Sequence, residues 1–261
     1  MTAALTPVMK AGLAFAYVGG AAIIAAGAVL TWRQRRLHPV LLLSISAISF
    51  SWIEAPYDWA MYAQFPPAIP RMPSWWPLDM TWRGLPASVP IGYVSYFVVP
   101  ALIGAFAGRR LSSRFSWRRP ITLLSSGLVV GFVWAFLFNA VVGARLGVFY
   151  YGRVIGTLAL WPGTRHQYPI YDALAMGVQM MLFTYILGRT DDEGRTLVEA
   201  WADSRTRSRL KSSLLSVATV VVIGNVMYLS VFAPHLATKE LNLVNTGPTQ
   251  QLFDGVPNQP R

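Results

Sequence analysis

Apolar residues in this chain come in long, nearly unbroken blocks rather than at the spacing of a half-buried helix or strand. Six blocks, about 8–30, 40–62, 89–107, 121–142, 168–187 and 213–232, come close to or reach the roughly 20 residues that cross about 30 Å of hydrocarbon. Barrel strands alternate and cross in about 10 residues, so the pattern predicts helices. The predicted fold is all-α: a polytopic integral membrane helical bundle of about six transmembrane helices over residues 1–234. A polar tail rich in Asn, Gln, Pro and Gly follows over 235–261 and is expected to be disordered.

Composition supports this solvent assignment. Hydrophobic residues make up 54% of the chain and charged residues 13%, about half the charged share of a soluble domain. The first block lacks a basic leader and is followed by Trp32-Arg33-Gln34-Arg35-Arg36, which marks a retained helix rather than a signal peptide. The segments after the first, third and fifth blocks carry three, five and six basic residues, 14 of the 22 Lys and Arg. Placing them on the cytoplasmic side puts both termini outside, as expected in a bacterial plasma membrane. This arrangement accounts for the net charge of +11 without a nucleic-acid partner.

An ionisable side chain inside a span costs at least about 2.5 kcal/mol on insertion scales, so each one is a functional candidate. Glu54 and Asp58, spaced i and i+4, share one face of the second helix. Two nearby carboxyls in low dielectric resist ionising together, which suits a general acid and base. The alternative is a solvated helix end with Pro56 breaking the helix and Arg71 or Arg83 as partners.

Five of the ten Trp fall between Trp52 and Trp82, interleaved with Pro. Trp52, Trp59, Trp75 and Trp76 are therefore either a substrate cover or an interfacial aromatic belt.

The other concentration runs from Gly163 to Ala173. Pro169 fits a helix start there, bringing Tyr171 and Asp172 into the first turns beside His166, with Arg165, Gln167 and Tyr168 as candidate substrate contacts. Asp172 could equally be a partner of the helix dipole, and His166 a hydrogen-bonding loop residue. Asn139 could orient a substrate oxygen or bond to a neighbouring helix. The acidic run Asp191, Asp192 and Glu193 sits among Arg residues and reads as a solvated turn rather than a metal or diphosphate site.

The chain has no Cys, and its three His, at positions 38, 166 and 235, are too few for a His-rich iron site. P-loop, Rossmann, zinc-protease and serine-elbow patterns are absent. Acid–base chemistry without metal or cofactor is what remains.

The run Trp161-Pro162-Gly163-Thr164-Arg165-His166-Gln167-Tyr168-Pro169-Ile170-Tyr171-Asp172-Ala173-Leu174 is followed, one span later, by Asp191-Asp192-Glu193-Gly194-Arg195-Thr196-Leu197-Val198-Glu199. Together with Ser51-Trp52-Ile53-Glu54-Ala55-Pro56-Tyr57-Asp58, these stretches resemble the AveC-like spirocyclase family of actinobacterial membrane proteins. Asp172 stands where the family pattern leads one to expect Glu, and the loop from Gln64 to Pro86 lacks the expected Asn-rich pattern. The resemblance implies cyclisation of a dihydroxy-ketone polyketide to a spiroketal, in some members with dehydration.

Read from residue type and place, Glu54, Asp58 and Asp172 would supply acid and base, with Tyr171 and His166 orienting oxygens. The site is expected between the second, fourth and fifth helices. The expected partners are a lipophilic small-molecule substrate and membrane lipid. The rival reading is a non-catalytic lipid-binding or transport protein, in which the same acids form a path open to both faces.

Overall fold

The computed structural model describes residues 4–81, 84–249 and 252. Six helices are long and apolar enough to span a bilayer: α1 (Pro7–Gln34), α2 (Pro39–Ala60), α3 (Val89–Phe115), α4 (Arg119–Arg145), α5 (Ile170–Gly188) and, after the short α6 (Leu197–Arg205), α7 (Arg209–Glu240). This is the helical membrane bundle that the apolar blocks predict. Several helices run past those blocks, because helical backbone continues into the charged ends once hydrocarbon stops. The boundary expected at residue 234 falls inside α7, which carries His235 into the core. Beyond it, Thr246 and Val154 exchange backbone hydrogen bonds at 2.8 and 3.0 Å. The tail therefore begins with a docked segment; residues 253–261 lie outside the described ones.

Helices in hydrocarbon gain little from burying apolar surface, so close association relies on small residues. Gly104 and Gly108 on α3 and Gly127 and Gly131 on α4 form two G-x-x-x-G seams. A methyl at Gly131 would lie 2.7 Å from Met180 Cβ and 3.0 Å from Gly177 Cα on α5. These approaches lock α3, α4 and α5 together.

Polar stitches do the same for α2 and α7. Ser46 donates to the Val220 carbonyl at 2.8 Å, Trp52 Nε1 to Asn225 Oδ1 at 2.9 Å, and Asn225 Nδ2 to Ser49 Oγ at 3.0 Å. One turn beyond Asn225, the Tyr228 ring stacks on Phe50 with centroids 4.9 Å apart.

Between the spans, β1 (Ala63–Gln64) pairs antiparallel with β2 (Tyr150–Tyr151), and β3 (Ala159–Leu160) with β4 (Tyr168–Pro169). Both pairs lie at one end of the bundle. The three basic segments, after α1, after α3 and around α6, lie at the other.

Candidate active site

The chemistry-bearing part of α2 is its last two turns. A 3-10 turn at Ser51–Ile53 interrupts the helix, and a fresh α segment runs from Glu54 to Ala60. Pro56 is the third residue of that segment, where a backbone N–H would have no partner within it, so the proline breaks nothing. Glu54 and Asp58 stay on one face. Glu54 Oε2 accepts from the hydroxyls of Tyr93 on α3 and Tyr228 on α7, the latter at 2.6 Å. The two phenol oxygens also lie 2.6 Å apart, and with one proton on each the three oxygens share their hydrogen bonds as one tight cluster. Asp58 is only 5% exposed, yet its Oδ2 has no hydrogen-bond partner among the described residues. The solvated-end reading of this pair therefore gives way to a buried one.

Asp172, in the first turn of α5 and 2% exposed, has the opposite surroundings. Tyr57 donates to its Oδ1 at 2.9 Å, and Asn139 Nδ2, Tyr151 and Tyr168 donate to its Oδ2 at 2.8, 3.1 and 3.4 Å. Four donors are the complement of an acceptor-only carboxylate.

Each donor has a local reason to be there. The last ten residues of α4, Phe136–Arg145, are π-helical and present Asn139, whose Oδ1 accepts from Tyr96 at 3.3 Å; such wide turns recur at functional sites. Tyr151 is held by the β1–β2 pair and by Gln167, whose Nε2 donates to its carbonyl at 2.8 Å. Burial, reinforced by the charge of Asp172, pushes the Tyr151 and Tyr168 phenols well above their ordinary value and keeps them as donors.

Tyr57 has one proton, and it points at Asp172. His235 Nε2, 2.9 Å from the same oxygen, is therefore the donor in its bond to Tyr57. His235, Tyr57 and Asp172 form one chain of hydrogen bonds.

Glu54, Asp58 and Asp172 line one cavity of about 170 Å³, together with Tyr57, Asn139 and Tyr151. Its remaining wall is largely apolar and includes Met9, Leu13 and Ala16 of α1, Phe138 of α4 and Met176 of α5.

The other sequence-predicted residues stand elsewhere among the described ones. Trp52 is engaged with Asn225, and Trp59 lies under the Lys239 ammonium, 3.7 Å from its ring centroid. Trp75 is 74% exposed and tilts against Trp76. None of these four Trp lines the cavity; from the same loop Phe65, Ile69 and Pro86 do. Arg71 gives its guanidinium to the carbonyls of Phe65, Pro66 and Gly84. Trp82 and Arg83 lie outside the described residues.

His166 Nδ1 bonds the Ala144 carbonyl at 2.9 Å, Arg165 caps Tyr150, and Tyr171 packs its ring near His235. None of these three lines the cavity, whereas Tyr57 does and is hydrogen-bonded to His235 behind it. Gln167 and Tyr168 act on the site through Tyr151 and Asp172. The acidic run is taken up by Arg195, whose Nε bonds Asp191 at 2.8 Å and whose Nη1 lies 3.1 Å from Glu193; the first contact holds the Asp191 carboxyl below its usual range.

The sequence reading did not single out Tyr57, Tyr93, Tyr96, Tyr151, Tyr228 and His235 as site residues, although Tyr57 stands in the quoted run and His235 among the three His. Their signal was a phenol, or for His235 an imidazole, within or beside otherwise apolar blocks.

Comparison with known proteins gives one result. No curated protein and no solved structure matches the chain. A family model described as "Spirocyclase AveC-like" matches residues 32–259. The match begins at the basic end of α1 and takes in all the carboxyls and phenols described above, and the chain belongs to the AveC-like spirocyclase family.

Proposed function

We propose that this chain is a membrane-embedded cyclase that closes a lipophilic dihydroxy ketone of the polyketide class to a spiroketal by acid–base chemistry of its own side chains. The observation that carries this reading is the contrast between two carboxyls of one cavity: Asp172 saturated by four donors, Asp58 with an oxygen left unpartnered among the described residues. Two carboxyls in different surroundings divide naturally into different roles.

The reaction balances without an external reagent. Asp58 protonates the ketone oxygen as one substrate hydroxyl adds to the carbonyl carbon and passes its proton to the Asp58 carboxylate, forming a hemiketal and restoring the acid. Protonation of the hemiketal hydroxyl then breaks its C–O bond, water leaves, and an oxocarbenium ion forms. The second hydroxyl attacks that carbon and returns a proton to the carboxyl. Two C–O single bonds form, the C=O bond is consumed, and one water is lost. Asp172, fixed by its donors, stabilises the cationic intermediate. Glu54 with Tyr93 and Tyr228 orients the attacking hydroxyls, and the apolar walls keep bulk water from reversing the loss.

The rival conduit reading is weighed by geometry. The lining residues come from one end of the helices, the end away from the basic segments, which supports a one-ended reaction chamber over a path between two faces. With those segments on the cytoplasmic side of a bacterial plasma membrane, the chamber sits near the outer leaflet.

The test is turnover of a synthetic alkyl dihydroxy ketone by the purified chain in lipid nanodiscs, followed by chiral chromatography and mass spectrometry. The expected result is one spiroketal stereoisomer, lighter than the substrate by one water, formed faster than in empty nanodiscs. Equal rates with and without protein would overturn the reading.

A further inference from the structure

The cavity is too small for the molecule that the proposed chemistry implies. About 170 Å³ is close to an engineered 150 Å³ cavity that accepts a benzene ring, whereas pockets for drug-sized ligands run from about 300 to 1,000 Å³. A reacting head fits among the carboxyls; a long hydrocarbon chain attached to it must leave the chamber.

The side facing α1 offers the exit. Its cavity-lining residues are Met9, Gly12, Leu13, Phe15 and Ala16, and none carries a hydrogen-bonding side chain. Gly12 stands out: a methyl built on it would have no heavy atom within 4 Å, although the residue borders the cavity. Farther along, the seam closes. A methyl at Gly92 of α3 would lie 3.1 Å from Ala16 Cβ, one at Gly19 would lie 3.4 Å from Ser95 Cβ, and Ser95 Oγ donates to the Phe15 carbonyl at 3.2 Å. The opening is thus confined to the first turns of α1.

This helix is also the least enclosed span. Only 17% of its apolar stretch is buried, against 67% for α2, so its outer side is left to lipid. The family match starts at residue 32, which places the reacting groups inside the matched region and this wall outside it.

Resting on the cyclase reading for the head group, we infer that α1 forms a hydrocarbon subsite: the alkyl end of the substrate passes over Gly12 between Met9 and Ala16 and emerges into the bilayer. The acids hold the oxygenated head, and α1 sets which chain lengths and branches are accepted. Apolar occupancy matches the segregation of the cavity into a polar pole and an apolar wall. The bare backbone at Gly12 is the point of greatest clearance.

Two probes test this on the full chain in nanodiscs. One is a dihydroxy ketone bearing a long alkyl chain with a terminal diazirine; the other has the same head with a methyl in place of the chain. Irradiation of the first, followed by peptide mapping, is expected to place adducts on Met9–Ala16 in the unaltered protein. In Gly12→Phe, the long-to-short ratio of kcat/KM is expected to fall about ten-fold, and in Gly12→Ala by less. Adducts found only on other helices, or a ratio that stays within about two-fold in Gly12→Phe, overturn the subsite. Labelling requires no variant, so poor folding of Gly12→Phe leaves the question decidable. Adducts on α1 without spiroketal formation keep the subsite and discard the cyclase reading; spiroketal without such adducts does the reverse.

Discussion

The Tyr57 hydroxyl donates to Asp172 Oδ1 at 2.9 Å, joining two helices whose contributing residues are 115 positions apart in the chain. The contact orients the carboxylate and links it to His235 through the same oxygen. Removing the hydroxyl in Tyr57→Phe withdraws one of four donors and leaves His235 Nε2 without its acceptor. Turnover is expected to fall about 10- to 100-fold and stability by about 1 kcal/mol. Nanodisc turnover and thermal unfolding check the two effects separately.

Asp58 and Asp172 are expected to separate activity from stability. Asp58→Asn removes an acid whose Oδ2 has no hydrogen-bond partner among the described residues, so turnover should drop by about 10²- to 10⁴-fold with little change in melting temperature. Asp172→Asn sets an amide among donors, and its Nδ2 forces a neighbouring phenol to give up donating and accept instead. It should lose activity and also about 1–3 kcal/mol of stability. A large stability loss in Asp58→Asn would show that its Oδ2 is held by a partner after all.

The alkaline limb of stability is predicted from two phenols outside the spans. Burial raises the Tyr151 and Tyr168 pKa values, with the nearby Asp172 charge adding to the effect. Unfolded phenols release their protons near pH 10, while these folded ones hold theirs. The stabilisation is therefore complete below about pH 10 and is lost as pH rises further toward the folded values. Melting temperature should decline above pH 10, and the decline should be shallower in Tyr151→Phe.

Outside the chamber, Trp75→Ala and His166→Ala should leave turnover within about two-fold of the parent. Trp75 is largely exposed, and the His166 ring serves the Ala144 carbonyl. A ten-fold loss in either would show that the loop closes over substrate in a way this arrangement does not contain.

The helix seam gives a prediction independent of chemistry. Gly131→Val forces a branched side chain into the space held by Met180 and Gly177, which should cost about 1–3 kcal/mol. The push would spread α4 from α5 and lengthen the Asn139–Asp172 bond. Reduced thermal stability together with reduced turnover is the expected pair of results.

The spans were legible because hydrocarbon thickness imposes a length that few other demands produce, and the Glu54–Asp58 pair because helical spacing places i and i+4 together. Asp172 and Asn139 could be named as polar groups near span ends, but their mutual contact at 2.8 Å could not. It depends on the G-x-x-x-G seams and on a π-helical end of α4. Tyr93, Tyr96 and Tyr228 were hidden for a different reason. A phenol ring counts as apolar in a hydropathy profile, and its single hydroxyl acquires meaning only when a carboxylate from another helix arrives. The Trp-rich loop is ambiguous in the opposite direction, since bulky rings near a helix mouth suit lipid headgroups as well as a ligand.

The docked segment after α7 bears on how the protein is handled. Thr246 exchanges backbone hydrogen bonds with Val154, three residues beyond Tyr151, and Thr249 N donates to the Gly163 carbonyl at 3.1 Å. A chain cut after Glu240 would keep every span and still release this clasp from the loop that aims a phenol at Asp172. An affinity handle fused there would purify a fully helical protein with a loosened reaction chamber, whereas one at the N-terminus leaves the clasp intact.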